Sequence, residues 1–86
     1  MRNADIRFEM MDRLGAYLQG REGLADLLGW EAELSLSAWI AKPLRADLDR
    51  IALMGEEVES GLRDEREVRE VARSVLDGLA ARARAS

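Results

Sequence analysis

Apolar residues recur at intervals of three and four along most of this chain, the spacing that lines up one face of an α-helix. In the first segment Ile6, Met10, Met11, Leu14, Tyr17 and Leu18 form such a stripe, with Asn3 placed to cap its start and Gly20 just past its end. Glu9 and Arg13, four apart, are placed to pair on its outer side. A shorter helical pattern runs through Leu24, Leu27 and Leu28, and Gly29 predicts a break or bend near Gly29-Trp30.

Between residues 33 and 42 the pattern changes, because Leu34, Leu36, Ala38 and Ile40 alternate as they would in a strand. A single strand with no partner leaves its backbone groups unpaired, so a short extra helix begun by Ser35 or Ser37 is the expectation. Pro43 suits the first turn of a third helix, where its missing N–H is no loss. Leu44, Leu48, Ile51, Met54, Val58 and Leu62 would share one side of it, and Ser60-Gly61 supplies the stop. The fourth helix opens on Asp64 with Glu67 three residues later, the form of a capping box. Its stripe is Val68, Val71, Val75, Leu76 and Leu79, widened by Ala72 and Ala80, and residues 82–86 are expected to fray. The short connections imply helices packed against their sequence neighbours.

The fold class expected is therefore all-α, a small antiparallel bundle of four main helices in one domain over residues 1–86. Its expected core is Ile6, Met10, Leu14, Leu18, Leu27, Leu44, Leu48, Ile51, Val58, Val68, Val71, Val75 and Leu79. With 86 residues there is material for one core only. A hydrophobic content of 48% separates the chain from disordered sequences of similar charge. No apolar run approaches the roughly 20 residues that span a bilayer, and the charged opening residues lack a signal-peptide core, so a cytoplasmic protein with no membrane partner is expected. Twelve of the thirteen basic residues are Arg, and the exception is Lys42. With abundant Ala and Leu, that bias points to a GC-rich coding sequence of bacterial or phage origin.

Chemistry is scarce. The chain has neither His nor Cys, which removes disulfides, thiolate metal sites and the commonest general base. Carboxylates, Lys42, Tyr17 and serines remain, in no recognised catalytic spacing, and the glycines form no phosphate-binding loop. No catalytic residue, cofactor or metal is expected. The informative feature is charge: from Asp47 to Glu70 nine acids face four arginines, a net −5 against +1 over the rest of a chain whose formal charge is −4. Pairs such as Glu65–Arg69 and Arg66–Glu70 would make this a solvated face. Alternatively Glu56, Glu57, Glu59 and Asp64 present a negative patch that selects a basic partner by sign of charge. Tryptophans in small domains are most often core, and if one of the two here is instead an exposed partner-binding anchor, Trp39 is the better candidate.

Two resemblances bear on function. Leu24-Ala25-Asp26-Leu27-Leu28-Gly29-Trp30 followed by Leu34-Ser35-Leu36-Ser37-Ala38-Trp39 resembles a repressor-type helix-turn-helix. Ser37 and Trp39 fall one residue later than that pattern places them, and Glu31 and Glu33 stand where phosphates would approach. The second covers Tyr17 to Leu79: Tyr17-Leu18, Gly20-Arg21, Trp30-Glu31, Pro43-Leu44-Arg45, Leu48, Arg50-Ile51-Ala52-Leu53, Gly61-Leu62-Arg63, Glu65 and Val68-Arg69. This order is similar to small helical bacterial proteins of the colicin-immunity-like kind. That resemblance implies an acidic bundle that binds a toxin domain and blocks it without catalysis. The expected partner is accordingly another protein, a basic one such as a nuclease toxin or a defence-system component. A DNA-binding regulator and a self-associating structural protein, including a homodimer, stand as alternatives.

Overall fold

The structure, a computed structural model that describes residues 3–37 and 39–85, has four α-helices: α1 (Asn3–Leu18), α2 (Leu24–Ser37), α3 (Lys42–Glu59) and α4 (Glu65–Ala85). Each turns one stripe inward at spacings of three and four. These are Ile6, Met10, Leu14 and Tyr17 on α1, and Leu24, Leu27, Trp30 and Leu34 on α2. On α3 they are Leu44, Leu48, Ile51 and Gly55, and on α4 Val68, Ala72, Val75 and Leu79. Fully burying a side chain such as Leu79 or Val68 contributes about 1.5–3 kcal/mol, so these stripes supply most of the driving force. Ile40, in the α2–α3 connection, joins the same core.

Cross-helix pairs give the direction of each helix. Tyr17 at the end of α1 meets Glu65 at the start of α4, and Arg82 near the end of α4 meets Asp47 near the start of α3. On α2 and α3, Ser35 meets Arg45, and Leu28 lies against Gly55. Glu9 of α1 takes the Trp30 indole N–H of α2. All four neighbouring pairs are thus antiparallel, and the contact between α1 and α4 closes the ring.

Helix ends α1 and α3 are built alike. Gly20 and Gly61 both take φ +78°, a conformation that side chains with a Cβ disfavour. Around them the amides of Arg21 and Gly20 bond the carbonyls of Ala16 and Tyr17, and those of Leu62 and Gly61 bond Glu57 and Val58. This is the Schellman pattern, which satisfies the last carbonyls of a helix. At the start of α4, Asp64 Oδ1 accepts the Arg66 amide at 2.9 Å. Asp64 is the expected cap, but the reciprocal arm of a capping box is replaced, because Glu67 Oε2 accepts from Arg63 Nη1 at 2.9 Å.

Several expectations are corrected. No bend interrupts Gly29-Trp30: α2 runs through, because Leu27, Trp30 and Leu34 keep one face on the core, which outweighs glycine's roughly 1 kcal/mol helix penalty. The extra short helix between 33 and 42 is absent, since residues 33–37 are the last turn of α2 and 39–41 connect to α3. Residues 82–85 are helical, with Arg82 held to Asp47 at 3.3 Å and basic side chains favourable at a helix C-terminus. Leu62 lies beyond the end of α3 and is exposed. Leu18, Val58 and Val71 sit at the margin of the core, while Tyr17, Leu24, Trp30, Leu34, Ile40 and Ala72, missing from the expected core, are buried in it. Glu9 bonds Trp30 in place of Arg13, which turns to Glu22 at 3.1 Å. The side chains of Asn3 and Ser37, expected as caps, and the residues Ala38 and Ser86 lie outside what the structure describes.

Candidate protein-binding surfaces

The α3–α4 corner gathers Glu56, Glu57, Glu59 and Asp64, because the Schellman turn at Gly61 brings the start of α4 back beside the end of α3. Their roles differ. Asp64 caps α4. Glu57 is half-buried and accepts from Arg63 Nε at 3.1 Å, and Arg63 also holds Glu67. That hydrogen bond to Glu57, first among the causes, raises the Arg63 pKa above its ordinary value, with Glu67 adding to it against the opposing effect of desolvation. Glu65 is committed to Tyr17 and Arg69, the latter at 3.5 Å, and the Arg69 guanidinium lies 5.0 Å from the Tyr17 ring centre. Glu56 and Glu59, by contrast, are exposed, and no ion pair among the described residues compensates either one.

Two apolar side chains stand among these acids. Leu62 occupies the position after Gly61 whose side chain ordinarily folds back onto an apolar residue one turn inside the helix. Here that residue is Glu57, already held by Arg63, and Leu62 remains 78% exposed. Leu53, 61% exposed, lies one turn before Glu56 and Glu57 on the outer side of α3. Sequence periodicity places Leu62 on the same side of α3 as Leu44, Leu48 and Ile51; its position just after the helix-stopping Gly61 is the signal that it belongs elsewhere.

Trp39 is not part of this corner. It lies in the α2–α3 connection, at the opposite end of α3, whose 18 residues span about 27 Å. It is 78% exposed, and Leu36, three residues earlier, is 91% exposed. Trp30 is core: its indole N–H donates to Glu9 Oε1 at 2.6 Å, and the Arg13 guanidinium lies 5.8 Å from its ring. Sequence composition did not single out Leu36 or the basic residues near Trp39, where Arg7 and Arg82 flank a hollow of about 200 Å³ floored by Ala41, Pro43 and Leu44.

Among the described residues no charged side chain is buried, and no group of three or more carboxylates could hold a metal ion. Tyr17 is buried, and its phenol is pushed up from its ordinary pKa, first by burial and then by the Glu65 carboxylate that it bonds. That makes it a weaker acid, the wrong direction for proton transfer near neutral pH. Lys42 is exposed. No described helix is long and apolar enough to cross a membrane. The stretch that resembles a helix-turn-helix forms a single helix and a connection, so the turn required between two helices is absent there. No family model matches the chain, and neither the curated proteins nor the solved structures contain a match to it.

Proposed function

We propose that this chain is a non-catalytic protein-binding module whose α3–α4 corner docks a basic partner in stoichiometric fashion. In keeping with the immunity-type resemblance, binding would neutralise that partner, a nuclease toxin or defence-system component being the class of protein with the right charge. The carrying observation is that Leu62 is exposed at the corner that also carries exposed Glu56 and Glu59, two acids that no ion pair among the described residues compensates. An apolar anchor rimmed by unneutralised charge favours a partner that is both basic and partly apolar: the charges speed encounter and select by sign, and the leucine slows release. The proposed setting is the cytoplasm, where a chain without cysteine needs no oxidative folding.

The test begins with recovery of the partner from the cell that makes the protein, followed by titration of the purified pair. Glu56→Gln with Glu59→Gln is expected to weaken the complex about tenfold or more and to flatten its salt dependence, while the helical circular dichroism is unchanged. Leu62→Ser should raise the dissociation rate. Glu57 is a poor probe, since its neutralisation also releases Arg63. Unchanged affinity in the double variant, or a partner that is acidic, would overturn the proposal.

A further inference from the structure

α1 carries a second apolar stripe on the side turned away from the core. Ala4, Phe8, Met11, Gly15 and Leu18 follow one another at spacings of four, three, four and three, the repeat that keeps one seam facing a partner helix. Ala4 is exposed, Phe8 is 58% exposed, and Met11, Gly15 and Leu18 are half-buried. A Cβ added at Gly15 would meet nothing within 4 Å, so that part of the stripe is uncovered by the chain's own helices. Arg7 and Asp12 flank the stripe on opposite sides. Neither has an opposite charge three or four residues away along α1, and no ion pair among the described residues engages either one.

We propose that two copies of this chain pair through these stripes, their α1 helices side by side and parallel about a two-fold axis. Apolar spacing and charge together select a copy, and charge selects its direction. In parallel helices with this repeat, the residue preceding a seam position lies across from the partner residue five further along. Arg7 precedes Phe8, and Asp12 is five further along, so each copy's Arg7 meets the partner's Asp12 and the ion pair forms twice. An antiparallel pair would instead set like flanks together, Asp5 and Asp12 against the same two acids. The neighbouring helices agree. α4 lies on the Arg7 side, where Arg7 and Arg82 line one hollow, and α2 lies on the Asp12 side, reached through Glu9–Trp30 and Arg13–Glu22. On that side the cations Arg13 and Arg21 are already bonded, to Glu22 and Gln19. α2 has three acids and no base, whereas α4 has five arginines to four acids. A parallel pair sets α4 of each copy beside α2 of the other, and an antiparallel pair sets the two acidic α2 helices together. The seam is short, about 21 Å, but α1 is already folded within its own domain, so pairing carries no cost of forming the helix.

The experiment is sedimentation equilibrium with light scattering, over a concentration series at low and high salt. The expected result is a monomer–dimer equilibrium that stops at the dimer and weakens with salt. Arg7→Glu and Asp12→Arg should each weaken the dimer about tenfold or more, and their equimolar mixture should recover it as a heterodimer, because both cross-pairs are then opposite in sign. Phe8→Ser should dissociate the dimer at either salt concentration, with circular dichroism checking the fold of every variant. Direction is read by Ala4→Cys, clean in a chain without cysteine: a parallel pair brings the two thiols together and oxidises to a covalent dimer, and an antiparallel pair holds them at opposite ends. A wild type still monomeric at about 1 mM, an Asp12→Arg variant that dimerises more tightly, a mixture of the charge variants that stays monomeric, or absence of the cross-link would each rule the pairing out. The seam shares no residue with the α3–α4 corner, so binding of a basic partner is measured separately on Phe8→Ser. A monomeric wild type that binds such a partner sinks only the pairing, and a dimer that binds none sinks only the corner.

Discussion

Tyr17 and Glu65 stand 48 residues apart in the chain, and the phenol hydroxyl donates to Glu65 Oε2 at 2.9 Å, tying the end of α1 to the start of α4. The ring is buried while the carboxylate reaches the surface, so the bond lets a polar hydroxyl enter the core boundary without losing its partner. Arg69 completes the arrangement, pairing with Glu65 and lying over the ring.

From this follows a prediction on pH. Tyr17 is the only tyrosine, and its folded pKa lies above the unfolded value of about 10. The unfolded chain therefore gives up the phenol proton first as pH rises. The stability contributed by the shift is complete below about pH 10 and is lost as pH climbs toward the folded pKa. Tyr17→Phe should cost about 1 kcal/mol at neutral pH, from the lost hydrogen bond, and should flatten the decline in stability above about pH 10. Urea denaturation followed across that range checks both; a variant whose alkaline decline matches the parent would show that other groups govern it.

A second prediction concerns the seam between α2 and α3. A Cβ added at Gly55 would come within 2.5 Å of Leu28 Cδ2 and 3.1 Å of its Cγ, so the side chain must move to admit a methyl group. Gly55→Ala is expected to lose about 1 kcal/mol net, overpacking exceeding the gain in helix propensity. In a Leu28→Ala background the same substitution should reverse sign and stabilise by up to about 1 kcal/mol, since only the propensity gain remains. A double-mutant cycle by chemical denaturation measures the difference, and additivity of the two changes would mean the helices do not approach here as described.

The third contrasts two glycines that have equal room. Neither Gly29 nor Gly61 has any atom within 4 Å of an added Cβ, yet Gly29 lies inside α2 and Gly61 has φ +78°. Gly29→Ala should therefore stabilise by up to about 1 kcal/mol, and Gly61→Ala should destabilise by about 1–2 kcal/mol. Thermal melts of the two variants distinguish them. Destabilisation by Gly29→Ala would favour the bend that α2 lacks in this structure.

What the sequence determined by itself was local. The three-and-four spacing that makes helices of residues 6–18, 44–58 and 68–79, the glycines that end α1 and α3, and the aspartate that starts α4 all act within a few residues, so each was legible from the chain. The concentration of acid around residues 56–64 was equally legible, because charge needs no fold to be counted. Tertiary packing decided the rest. It carried α2 through Gly29, because burial of Trp30 and Leu34 outweighs a propensity that acts alone in a peptide. It turned Glu9 from Arg13 to Trp30 and Glu57 to Arg63, leaving Glu56 and Glu59 as corner acids that no ion pair among the described residues compensates. It also set Trp39 at the far end of α3 from those acids, a separation read from helix length and direction and not from residue type. A side chain's neighbours across the bundle depend on which faces pack together, and that choice minimises exposed apolar area over the whole chain at once, beyond the reach of any local pattern.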